Sequence, residues 1–164
     1  MEHQTAQILS SALLIRGTAI LENLAIDIKL AANQPAAALK EAEAARAKFP
    51  LSRAVGRQYA DALIAAGRND DAVNYLRDQV QLYRQEPQLQ DQLAKAYAAQ
   101  GRQALQHLAL AESYALNGSL PAALDQLGIA RRAPDASFYD QSVIDARERD
   151  FKARWKDEER QKDQ

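Results

Sequence analysis

The chain has 164 residues, 47% hydrophobic, 26% charged and only 6% aromatic, and its 21 basic and 22 acidic side chains leave a net charge of −1. So even a balance gives no electrostatic footprint for a nucleic-acid backbone, and the lack of cysteine excludes disulfides and thiolate metal sites. A chain of this length buries about 70% of its unfolded surface and is expected to form one domain, and no apolar run approaches the roughly 18–20 residues that span a bilayer.

Thr5 to Arg16 reads as a short helix ending near Gly17. Glu2 stands where a basic cluster would be, and Ile8–Ile15 run into Arg16 without a small-residue cleavage site, so no signal peptide is read there. Residues 19–32 place Leu21, Leu24, Ala25, Ile28 and Ala32 at helical spacing, and Asn33 stands where a helix-ending glycine would serve. Pro35 suits the first turn of a second helix running to Lys48, which Phe49-Pro50 stops. Helices over 52–66 and 69–84 follow, with Gly67 between them and Asn69 as N-cap, and the second carries an apolar stripe of Leu76, Val80 and Tyr83. The next helices are expected over 88–100, 103–117 and 120–132. The middle one is apolar nearly all round and should be the most enclosed. After Pro134 a last helix over 137–156 carries Ile144, Phe151 and Trp155 on one stripe, with Glu148–Lys152 and Asp150–Arg154 as ion pairs opposite. The polar end DEERQKDQ is expected to fray.

One short phrase recurs in this series. Leu93-Ala94-x-x-Tyr97-x-x-x-Gly101 returns as Leu110-Ala111-x-x-Tyr114-x-x-x-Gly118, and Gly67 lies 34 residues before Gly101, as Ala38 does before Ala72. Apolar residues on one helix side, a glycine to end the helix, and a small residue five positions later at the next crossing describe stacked helix pairs. The pattern resembles the tetratricopeptide repeat. It implies an all-α fold, a tetratricopeptide-repeat solenoid of antiparallel helix pairs over 19–134, preceded by an N-terminal helical segment, 1–18, and closed by a capping helix and polar tail, 135–164.

Catalytic chemistry is hard to assemble. His3 and His107 are the only histidines, neither lies in an HExxH arrangement, and no phosphate loop, nucleophile elbow or paired buried carboxylates occur. His107 reads as a packing or hydrogen-bonding residue, and no cofactor or metal is implied. What remains is a surface. The first helices of stacked pairs line a groove suited to a peptide or helix, and the positions that face it in this repeat are Arg57, Gln58 and Asp61, then Asp91, Gln92 and Lys95, with Asn23 and Asp27 in the first pair.

A longer likeness lies in the C-terminal half. Gln106-His107, Leu110 to Tyr114, Gly118 to Ala123 and Phe138 to Arg147 resemble a series found after the protease domain of periplasmic zinc metallopeptidases of the BepA type. The resemblance implies the repeat domain of such an enzyme, in the periplasm. It would dock substrates or partners for a protease and chaperone-like factor acting on outer-membrane proteins and their assembly machinery, or face the protease domain of the same polypeptide. The zinc-binding HExxH helix of that family is absent from this sequence, so the peptidase activity does not carry over. A free-standing scaffold or adaptor with no attached protease is the alternative.

Overall fold

A computed structural model describes residues 18–162, and every regular element among them is an α-helix. These are α1 (18–31), α2 (Pro35–Lys48), α3 (Arg53–Ala65), α4 (Asn69–Leu82), α5 (Pro87–Ala99), α6 (Gln103–Leu116), α7 (Leu120–Arg132) and α8 (Phe138–Lys162). The helix read over Thr5–Arg16, and His3, lie outside the described residues. The chain divides into two compact units, Met1–Arg68 and Asn69–Gln164.

Four turns share one construction. Asn33, Gly67, Gly101 and Gly118 have φ of 54°, 73°, 73° and 77°, the left-handed conformation that ends a helix. At each, the following amide reaches back five residues and the turn residue's own amide reaches back three. Arg68 N donates to the Leu63 carbonyl and Gly67 N to that of Ile64, and the same pair recurs from Gln34 and Asn33, from Arg102 and Gly101, and from Ser119 and Gly118. This double bond pattern satisfies carbonyls that a helix end leaves open. Asn33 fills the glycine role because asparagine tolerates left-handed backbone better than most side chains.

In the first unit α2 packs on α3 through small residues. Ala38, Leu39, Ala42 and Ala45 are buried on α2, and Val55, Ala60, Ala62 and Leu63 on α3. Ser52 Oγ caps α3 by accepting from Val55 N at 3.4 Å, and the Arg46 guanidinium lies 4.7 Å over the Tyr59 ring. On α1 the stripe expected from the sequence is not the buried one: Leu21 and Ile28 are 65% and 60% exposed, Leu24 is also exposed, and Ile26 is fully buried. Ion pairs at 2.7 Å accompany this orientation, Lys48–Glu22 and Lys29–Glu41 joining the 22/26/29 side of α1 to α2.

In the second unit α5 packs between α4 and α6, α6 between α5 and α7, and α8 covers α7 and reaches α6. Ala111, Ala115, Leu120, Ala123, Leu127, Ala130, Ile144 and Phe151 form one buried cluster, so two of the three residues expected on the inner stripe of α8 are core, while Trp155 stays 37% exposed. The expectation that α6 is the most enclosed helix is not met, since α5 buries Leu89, Gln92, Leu93, Ala94, Ala96 and Tyr97 and thus more of its length than α6 does. The buried positions of α6 are Ala104, Ala109, Ala111, Ser113 and Ala115, whereas Leu105, Leu108, Leu110 and Leu116 are half-buried. Helices that meet through alanine come close, and longer side chains then lie along the flanks of the contact.

Side chains cap the starts of α8 and α6. Ser137 Oγ accepts from Asp140 N at 3.1 Å while Asp140 Oδ2 accepts from Ser137 N at 3.0 Å, a reciprocal cap that starts α8. Asp135 Oδ1 accepts from Ala104 N at 3.1 Å, so a carboxylate from the α7–α8 turn sits at the positive end of α6. Asn69, expected as an N-cap, is instead the first residue of α4, and its Nδ2 donates to the Ala99 carbonyl at 3.3 Å. The tail expected to fray continues α8 to Lys162, since its Glu, Arg, Lys and Gln residues are good helix formers.

The glycines give a paired stability test. A Cβ at Gly101 would meet nothing within 4 Å, so the cost of Gly101→Ala is conformational, about 1–2 kcal/mol for left-handed backbone. Gly128 lies inside α7, where a Cβ makes only an ordinary 3.7 Å contact with Arg132, so Gly128→Ala should stabilise by about 0.5–1 kcal/mol. Urea unfolding should shift the two midpoints in opposite directions; shifts of the same sign would contradict the turn assignment. Phe151→Ala should cost about 3–5 kcal/mol by opening a cavity in the fully buried cluster, and a loss below about 1 kcal/mol would mean that α8 is not part of the core.

Candidate interaction surfaces

The eight residues expected to line a groove divide between the two units. In the first, Asp27 and Gln58 are brought together, with Gln58 Nε2 donating to Asp27 Oδ1 at 2.6 Å across α1 and α3. Arg57, Asp61 and Asn23 are half-buried on the same two helices, and the Asn23 Oδ1 and Gln58 Oε1 atoms are enclosed without a hydrogen-bond partner. In the second, Lys95 is exposed and Asp91 half-buried on α5. Gln92 departs from the expected outward position, being only 5% exposed. The reason is geometric: α5 lies between α4 and α6, and the side carrying Leu89, Gln92 and Ala96 is covered.

A second surface in the same unit was not read from the sequence. A cleft of about 240 Å³ opens between α4, α5, α6 and α8. Its floor holds Leu93, Tyr97 and Ala109, all buried, and its walls hold Val80, Leu105, Leu108 and Val143, all half-buried. Arg77 and Arg147 stand at its edge with Glu112. An adjoining hollow of about 300 Å³ shares Glu112 and Arg147 and adds Arg84 and Leu116. The spacing offers only a faint signal for it, since Gln90, Leu93 and Tyr97 share one side of α5 while Asp91 and Lys95 point well away from that side.

Electrostatics in the cleft follow from burial. Glu112 Oε1 meets Arg147 Nε at 2.5 Å, yet enclosure raises its carboxyl above the ordinary value more strongly than Arg147 lowers it. Burial likewise raises the Tyr97 phenol, against the lowering influence of Arg77 and Arg102, and the Arg102 guanidinium lies 5.6 Å over the Tyr97 ring. Elsewhere, His107 Nδ1 and Gln126 Oε1 lie 2.8 Å apart, the hydrogen-bonding role read for that histidine. Among the described residues no cluster of three or more His, Asp or Glu side chains could hold a metal ion, and no helix is long and apolar enough to cross a membrane.

The Tyr97 shift has a definite sign. A phenol whose folded value is raised contributes stability that is whole below the ordinary value, about 10, and is lost as pH rises through the folded value. Melting temperature measured from pH 9 upward should therefore fall more steeply for the wild type than for Tyr97→Phe. Parallel curves would show that the hydroxyl is as solvated in the fold as in the unfolded chain.

No protein-family model matches the chain, and comparison with curated proteins finds no significant match.

Proposed function

We propose that the chain is a protein-interaction module of tetratricopeptide-repeat type, the partner-docking domain of a periplasmic zinc metallopeptidase of the BepA type engaged in outer-membrane protein quality control. The observation that carries the binding role is the cleft of the second unit, where an apolar floor is ringed by the charged side chains Arg77, Glu112 and Arg147. Concave apolar sites with a few convergent polar groups are where proteins take ligands and partner side chains. The repeat assignment is supported by the identical turn closures at Asn33, Gly67 and Gly101, spaced by 34 residues, and by the half-step to Gly118. The peptidase connection rests on the likeness of Gln106–Arg147 to that family. A free-standing adaptor shares all of these features; an HExxH-bearing domain encoded upstream would separate the two.

The role of the groove positions is tested by charge reversal. Arg57→Glu, Asp61→Lys and Lys95→Glu combined should reduce capture of envelope proteins by the immobilised chain, and Glu43→Lys on α2 should leave capture unchanged. Lys95→Glu and Glu43→Lys, at exposed positions, should each move the melting temperature by no more than about 2–4 °C, because surface charge pairs contribute at most about 1 kcal/mol. Loss of capture by the α2 variant alone would move the binding face, and no specific capture by the wild type would sink the module reading.

A further inference from the structure

We infer that the cleft between α4, α5, α6 and α8 is a docking site for a protein segment bearing one large apolar side chain flanked by carboxylates. This rests on the interaction-module reading and assigns it a site and a class of ligand. Size argues first. At about 240 Å³ the cleft falls below the roughly 300–1,000 Å³ of pockets that enclose whole small molecules. It suits a single anchoring side chain, with the adjoining hollow beside Arg84 and Leu116 left for the next residue of the segment.

The lining selects the anchor. Leu93, Tyr97 and Ala109 give a floor without charge, and Val80, Leu108 and Val143 offer half-buried apolar walls that an inserted side chain would finish covering. Removing such surface from water is favourable at about 25 cal/mol per Å².

The rim selects what flanks the anchor. Arg77, Arg84 and Arg147 face one acid, Glu112, so the two hollows together carry an excess of two positive charges. Glu112 Oε1 meets Arg147 at Nε, and a guanidinium has five N–H donors against the two oxygens of one carboxylate, so the same arginine keeps donors for an incoming carboxylate. Arg84 is held by its Nε to the Gln81 carbonyl at 3.3 Å, which likewise leaves its terminal nitrogens available. Arginine matches a carboxylate with a planar two-pronged fork, and opposite charge on the ligand speeds encounter and sets orientation. A lysine-bearing segment would meet the same rim with repulsion.

Fluorescence anisotropy on the whole chain tests this with two labelled peptides, one with a central Leu between pairs of Glu and one with Lys in place of every Glu. The Glu peptide should bind at least tenfold tighter than the Lys peptide. Replacing its Leu by Ser should weaken binding at least tenfold, as should Arg77→Glu together with Arg147→Glu in the protein. Because Arg147→Glu also removes the partner of Glu112, Arg77→Glu alone, on an exposed position, should show the same direction with the fold intact by circular dichroism. Equal affinity for both peptides, indifference to the Leu or to the arginines, or no binding of the Glu peptide at millimolar concentration overturns the assignment. So does self-association blocked by Arg77→Glu, which would make a second copy the occupant. If the Glu peptide is instead lost from the Arg57/Asp61/Lys95 variant and kept by the Arg77 variant, the module reading stands and the cleft assignment falls.

Discussion

Close contact between helices through alanine is the constraint on which the rest depends. Ala38, Ala42 and Ala45 on α2, Ala60 and Ala62 on α3, and Ala104, Ala109, Ala111 and Ala115 on α6 are all buried. Such side chains let backbones approach but fill little volume, so each contact needs larger groups at its edges. Ile26, Leu63, Leu127, Ile144 and Phe151 supply these inside the units. Where the contact line reaches the surface, Val80, Leu105, Leu108 and Val143 supply them half-buried, and those residues line the cleft. The interaction surface is thus a by-product of how the core is packed.

Such packing needs sharp reversals between helices, and four of the junctions make them alike. The four left-handed turns do this with the same pair of backbone bonds, and side chains add to two of them, Asn69 donating to the Ala99 carbonyl and Asn117 to that of Ser113. Helix starts are handled less uniformly. Ser52 and Ser137 cap their own helices, Pro35 and Pro87 occupy first turns, and α6 borrows the Asp135 carboxylate from the α7–α8 turn. That last bond makes the start of α6 depend on the placement of the α7–α8 turn, one of the few local structures here fixed by a distant residue.

Charge does most of its work in choosing helix faces. Lys29–Glu41 and Lys48–Glu22 join α2 to the side of α1 on which Ile26 is buried, while Leu21 and Ile28 stay exposed. Arg131 meets both Asp145 and Glu148 across α7 and α8, and Lys152 with Arg131 holds the Glu148 carboxyl below its ordinary value against the opposing effect of burial. Exposed pairs of this kind add little stability singly, but they discriminate between rotations of a helix whose apolar pattern allows more than one.

The sequence by itself determined the helices, their order and their turns, because period, proline placement and glycine placement are local properties and the left-handed backbone at Gly67, Gly101 and Gly118 is written in residue type. It also determined that Ile144 and Phe151 face inward on α8. Only the tertiary structure decided which side of α1 is covered, that Gln92 is enclosed, and that Arg77, Arg84, Arg147 and Glu112 converge at one cleft. Those outcomes depend on which neighbour lies against each face. That is set by contacts between residues 12 or more apart in the chain, such as Lys29 with Glu41, Ala104 with Asp135 or Glu112 with Arg147, which no helical period can encode.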